Sequence, residues 1–153
     1  MKTGIIVYSN TGNTRLAAQI LKTAMCKKGQ DVELLEVNAS NPQPETNMSQ
    51  VKLTSKPAVD AFDKLVFASP VWGFSLAGVM KAYLAGLPSL KGKKISLIVT
   101  HRLSLPWMGG NTAIRQMKKL CKEKGGDVVS HAVISWNEKR REHDISDMQK
   151  KLA

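Results

Sequence analysis

The chain has 153 residues, 42% of them hydrophobic, which is enough for a packed core without disulfide or metal staples. No apolar run reaches the length of a membrane span, and strand-like sequence begins within a few residues of Met1, so no signal peptide is expected. The formal charge is +11, with 9 basic and 6 acidic groups in residues 1–90 against 14 and 6 in residues 91–153.

Lys118, Lys119, Lys122, Lys124 and Lys139-Arg140-Arg141 concentrate that excess. Such a face suits an anionic partner or substrate, and it is equally the pattern of a solvated surface. No aromatic residues interleave with these lysines as a stacking platform for nucleic acid requires. Only Cys26 and Cys121 are present, without metal-ligand spacing or a disulfide framework. Cys121 continues the apolar stripe Ile114, Met117, Leu120 and reads as a core thiol. A cytoplasmic setting is expected.

In chain order, Gly4 to Tyr8 is a short apolar run suited to a strand buried on both faces. Leu16, Ile20 and Ala24, with Ala17 and Leu21 beside them, recur at helical spacing. Between them, YSNTGNTR (residues 8–15) is a strand-to-helix turn, where unpaired N–H groups and the positive end of the helix dipole point outward. Ser9, Thr11, Asn13 and Thr14 add side-chain donors, and Gly12 permits a tight turn and close approach. The turn suits a phosphate. Its residue types are also ordinary caps and turn formers, yet three hydroxyls, an Asn and a Gly exceed what one cap needs. Neither G-x-G-x-x-G nor a P-loop ending is present.

Val32 to Val37 reads as a second strand, and Asn38 to Lys56 as a long loop followed by a turn of helix near Pro57 to Ala61. Asp63 to Ser69 is a third strand, ending where Pro70 holds Ser69 extended. The loop SPVWGFSLAG leads to a helix over Val79 to Leu84, and Lys94 to Thr100 is a fourth strand. After HRLSLPWMGG, Asn111 or Thr112 is placed to cap the next helix. Asp127 to Trp136 forms a fifth strand, Asn137 to His143 a polar connection, and Ile145 to Leu152 a last helix. This alternation predicts one α/β domain over residues 1–153, a parallel sheet covered on both faces. Ligands of such sheets bind beyond the carboxyl ends of the strands. Loops 9–14, 69–78 and 101–111 meet that rule, and Trp72 and Trp107 on two of them point to a phosphorylated ligand with a flat aromatic end.

Three stretches carry a family likeness. Ser9-Asn10-Thr11-Gly12-Asn13-Thr14 matches the phosphate loop S/T-x-T-G-x-T. Ser69-Pro70-Val71-Trp72-Gly73 matches a second loop at the third strand's end, and Leu90-Lys91-Gly92-Lys93-Lys94 a lead-in to the fourth strand. On these, and on the order of elements from Met1 to about Trp136, the chain resembles the short-chain flavodoxins and flavodoxin-like FMN proteins. The resemblance implies a doubly wound five-stranded parallel sheet in the order 2-1-3-4-5, helices on both faces, and FMN as cofactor. It implies that Ser9, Asn10, Thr11, Gly12, Asn13 and Thr14 hold the phosphate, with Arg15 facing solvent. Ser69, Pro70, Val71, Trp72, Gly73 and Phe74 of the second loop, and Thr100, His101, Trp107 and Gly109 of the third, would contact the flavin. Trp72 would cover one ring face unless its indole is a core residue. Gly73 would turn its carbonyl toward flavin N5, favouring a stable one-electron state.

The departures from the family pattern bear on redox chemistry. The third loop has no tyrosine, leaving Trp107 as the substitute for the second ring face. Phe74 and Ser75 stand where acidic residues are usual, and the third loop carries His101 and Arg102 without any Asp or Glu. Unless these two are merely solvated, a flavin carrying negative charge when reduced is stabilised by that change, so a less negative second one-electron potential is expected. The implied function is electron transfer through bound FMN to a partner protein with an acidic docking surface. The alternative is a small NAD(P)H-dependent FMN or quinone reductase. A non-redox module binding nucleic acid or an anionic surface rests on charge alone. No metal ligand and no catalytic acid or base is expected.

Overall fold

The protein is described by a computed structural model over residues 1–41, 48–102 and 109–153. In its first half run β1 (Lys2–Val7), α1 (Asn13–Lys27), β2 (Asp31–Glu36), β3 (Asn38–Ala39), β4 (Leu53–Ser55) and β5 (Lys64–Trp72). In its second half run β6 (Ser75–Leu76), α2 (Gly78–Ala85), β7 (Lys94–His101), α3 (Gly110–Glu123), β8 (Asp127–Ser135) and α4 (Arg141–Leu152). Five strands pair in parallel in the order β2-β1-β5-β7-β8, the doubly wound 2-1-3-4-5 arrangement.

Strand alternation sorts the core into two layers, because successive side chains leave opposite faces of the sheet. Ile5 and Val7 of β1, Val66 and Ala68 of β5 and Ile98 of β7 pack with Ala17, Ala18 and Leu21 of α1 and Met148 and Leu152 of α4. Ile6, Phe67, Leu97 and Val99 face the other way, onto Met80 and Leu84 of α2 and Ile114, Met117 and Cys121 of α3. The central strands are thus apolar on both faces, as their near-continuous hydrophobic runs predict. Cys121 is the expected core thiol, and burial pushes its pKa up to about 12.

Several boundaries differ from the sequence reading, each for a local reason. Within the expected loop 38–56, β3 and β4 pair antiparallel, and Met48–Gln50 makes a short 3-10 turn. Residues 57–61 form no helix: Val59 is anchored in the core and the Pro57 carbonyl accepts the Tyr83 hydroxyl. β5 does not stop at Ser69 but runs through Pro70 to Trp72, with Pro70 opposite Thr100 of β7. A proline fits there because its φ suits an extended chain, and its carbonyl still accepts the Ala77 N–H at 3.4 Å. The chain then folds back into β6. α3 is not capped by Asn111 or Thr112; it begins at Gly110 after Gly109 in the left-handed region, φ 104°. α4 begins at Arg141, inside the expected polar connection, with Glu142 and Asp144 in its positive first turn.

Leu97, fully buried in the middle of β7, tests how far the sheet depends on this packing. Leu97→Ala is expected to cost about 2–5 kcal/mol in urea unfolding. A loss below about 1 kcal/mol would mean that the layer can collapse around the cavity.

Candidate functional site

Parallel pairing brings the ends of β1, β5 and β7 to one edge, and a cavity of about 350 Å³ opens between their loops. Its walls come from Asn10, Thr11 and Asn13 of the first loop, Pro70, Val71, Trp72, Gly73 and Phe74 of the second, and Thr100 and His101 of β7. Arg102 and Trp136 complete it. Ser9, Gly12, Thr14, Ser69 and Gly109 stand behind these walls, and Trp107 lies outside the described residues.

The turn after β1 divides its polar groups between two jobs. Gly12, left-handed with φ 96°, is the N-cap of α1, and no side chain caps the helix in its place. Ser9 Oγ accepts the N–H groups of Gly12 (3.1 Å) and Arg15 (3.2 Å), so this hydroxyl holds the turn together. Thr14 is buried, and its hydroxyl shares a 2.7 Å hydrogen bond with that of Thr100. The N–H groups of Asn10, Thr11, Asn13 and Thr14 have no acceptor among the described residues. No acidic residue sits in the first turn of α1 to occupy its positive end. Arg15, expected in solvent, is half-exposed and paired with Glu36, because β2 lies beside the start of α1.

The second loop is shaped by backbone rather than by side-chain bonds. Gly73 (φ 56°) and Phe74 (φ 65°) both lie in the left-handed region, an arrangement that costs a non-glycine residue about 1 kcal/mol or more. Gly109 holds the tip in place: a Cβ there would stand 2.7 Å from Phe74 Cα and 3.0 Å from Val71 Cγ1. Phe74 itself is 62% exposed at the rim. Trp72 is partly buried, its ring edge-on to Tyr8 with centroids 5.6 Å apart, so it belongs to the wall and not to the deep core. Ser69 is buried and donates to the Pro70 carbonyl at 3.1 Å.

The charge of the site is simpler than the sequence implied. No carboxylate lines the cavity among the described residues. Arg102 is exposed at the rim, but His101 is buried to 6% exposure and is not a solvated loop residue. Burial lowers the pKa of His101, and Asp144 of α4 only partly offsets this. At neutral pH His101 is therefore uncharged, and Arg102 is the cation of the pair. Trp136 escaped the sequence reading because it closes the fifth strand, and only the loops after the first, third and fourth were considered. Its neighbour in the sheet was the available signal: β8 pairs with β7, so its carboxyl end adjoins the same edge. The Arg141 guanidinium lies over the Trp136 ring, 5.7 Å from its centroid.

This sheet order, with a donor-rich turn and an aromatic-walled cleft at the carboxyl edge, defines a flavodoxin-like flavoprotein. The chain belongs to the NADPH-dependent FMN reductase family, whose profile matches residues 1–141, and FMN is its cofactor. It is similar in fold to flavodoxin 2 from Bacillus cereus, at 19% identity and a TM-score of 0.70, covering 98% of this chain and 94% of that one. It is similar to two-electron reduced Megasphaera elsdenii flavodoxin at 25% identity and a TM-score of 0.62, covering 89% and 88%. A flavoprotein from Lactobacillus acidophilus in complex with FMN matches at 18% identity and a TM-score of 0.64, covering 97% of each chain. No curated protein sequence matches it. Among the described residues no helix is long and apolar enough to cross a membrane.

Buried His101 and partly buried His131 set a pH dependence of stability. Burial lowers the pKa of His101, and burial with Lys118 and Lys151 lowers that of His131, from the ordinary 6.5. The unfolded chain then binds more protons than the folded one below that value. Their contribution is complete above pH about 6.5 and is lost as pH falls through the lowered values. Urea midpoints measured from about pH 8 down to 5 should fall on the acid side, and less steeply in His101→Gln than in the wild type.

Proposed function

We propose that the protein is an NADPH-dependent FMN oxidoreductase that binds FMN in the cleft at the carboxyl edge of the sheet. Bound FMN supplies the redox chemistry, accepting hydride and passing electrons on to an acceptor such as a quinone. The phosphate is assigned to the turn of Ser9, Asn10, Thr11, Gly12, Asn13 and Thr14. Four N–H groups without an acceptor among the described residues and the positive end of α1 support that assignment, since together they balance a dianion without a lysine. Of the side chains, Thr11 and Asn13 face the cleft, whereas Thr14 acts by its N–H and fixes α1 to β7 through Thr100. Trp72, braced by Tyr8, offers a flat apolar wall to the ring. Pro70, Val71, Gly73 and Phe74 form the rest of that wall, Ser69 and Gly109 shape it from behind, and Thr100 and His101 offer hydrogen-bonding groups.

The observation that carries the choice of a reductase is the absence of carboxylates from the described walls, with Arg102 at the rim. Negative charge left in the pocket by two-electron reduction then meets no repelling acid. Electron carriage to a partner protein with an acidic surface is the second reading, favoured by the left-handed Gly73-Phe74 turn and by the basic exterior. Nucleic-acid binding retains only the charge in its support. The chain is taken to act as one domain, since α4 packs on β8 and on α1, which covers the same face of the sheet, and to work in the cytoplasm, where the free thiols Cys26 and Cys121 stay reduced.

Two measurements test this reading. FMN should bind more tightly than riboflavin, and Thr11→Ala should weaken FMN by about 1–3 kcal/mol while leaving riboflavin unchanged. Equal FMN affinity in the variant would return Thr11 to an ordinary turn residue. The FMN-loaded protein should oxidise NADPH in the presence of a quinone. A protein that binds FMN yet leaves NADPH untouched is a carrier.

A further inference from the structure

His101 has hydrogen-bonding groups that the described protein does not satisfy. It is 6% exposed, lines the cleft, and neither Nδ1 nor Nε2 has a partner among the described residues. A neutral imidazole carries one donor and one acceptor, and burying both unmatched is costly enough that such groups normally meet a ligand or water. The ring is held closely: a Cβ on Gly110 would come within 3.5 Å of its Cδ2 and Nε2 atoms.

The charges facing it are few. Asp144 of α4 is the carboxylate that acts on it, and that group is already engaged. Asp144 Oδ2 accepts the Ser135 N–H at 2.9 Å, while Oδ1 lies 3.3 Å from His143 Nδ1 and 3.9 Å from an Arg140 nitrogen. Arg102 follows in the chain, β8 places Ser135 opposite, and α3 has no acid in its first turn. On β5, the adjoining residues are Pro70 and Val71, and residues 103–108 contain no ionisable side chain. Nothing in this surrounding has the strength to keep a buried imidazole charged. The FMN phosphate is assigned to the N–H groups and helix dipole of the α1 turn, which balance it, so it is negative charge gained by the ring on reduction that favours the imidazolium.

We propose that His101 is the proton acceptor of the cleft, neutral while FMN is oxidised and protonated when reduction brings negative charge beside it. The proposal rests on the FMN and NADPH reading above. Hydride transfer adds two electrons and one proton to FMN and leaves NADP⁺. A second proton, taken from solvent, then resides on His101 and not on the flavin. Return of both electrons to a quinone releases the two protons to the reduced acceptor or to solvent. His101 thereby offsets the charge without keeping a permanent cation in the empty or oxidised pocket.

The test is to follow the Cε1–H signals of the three histidines by NMR in FMN-loaded protein from about pH 5 to 9, oxidised and after dithionite reduction. His131→Gln and His143→Gln variants identify the signals. The His101 titration should move up by about one to two pH units on reduction, with that of His131 unmoved. Independently, the pH slope of the midpoint potential should show about one proton fewer taken up by His101→Gln over that interval. An identical His101 titration in both redox states overturns the proposal. Because dithionite replaces NADPH, a shifted His101 in a protein that does not oxidise NADPH supports this role and overturns the hydride reading alone. Failure to bind FMN overturns both.

Discussion

The cleft depends on the parallel pairing of β1, β5 and β7. Parallel strands must be joined by crossovers, so all three end at the same edge and their connections are forced into one neighbourhood. Val7 pairs with Ala68 and Pro70 with Thr100, which places the turn after β1, the tip of the second loop and the end of β7 side by side. Two contacts then tie these ends to one another. The Thr14–Thr100 hydroxyl bond joins α1 to β7 across 86 residues of chain, and Gly109 packs against the Phe74 backbone.

Its electrostatics follow from what is already paired. Arg15, beside the turn after β1, is held by Glu36, so what that turn offers an anion is backbone N–H groups and the helix dipole. His101 is kept neutral by burial, leaving Arg102 as the fixed cation at the mouth. The basic excess lies in two places. Lys119 and Lys122 are exposed along α3, whereas Arg141 lies on Trp136 at the edge of the cleft. Arg141, through its contact with Trp136, joins Arg102 beside the cleft.

The sequence reading recovered the alternation of strands and helices and the core thiol, because these rest on periodicity and on residue types that the chain displays locally, while the sheet order came from the resemblance to the flavodoxins. It placed ten cavity-lining residues in three loops for the same reason: each sits just past an apolar strand. What it misjudged are matters of partner. It could not divide Ser9, Thr11 and Thr14 between capping, ligand and core, since that depends on Thr100 lying opposite. It weighed His101 and Arg102 together, as groups near the flavin or in solvent, although one is buried and the other exposed. It let β5 end at Pro70, because the hairpin with β6 that continues it is a pairing and not a propensity. Trp136 was missed as a wall residue because its relevance comes from the neighbour β7.

The amino-acid sequence by itself determined the class of fold, the positions of its ligand loops and the phosphate-suited character of YSNTGNTR, since hydrophobic period and turn chemistry are local properties. Tertiary structure alone decided which polar groups remain unpaired and which titratable groups are buried. Those properties are set by the residues that packing brings together from distant parts of the chain, and a linear sequence does not display those neighbours.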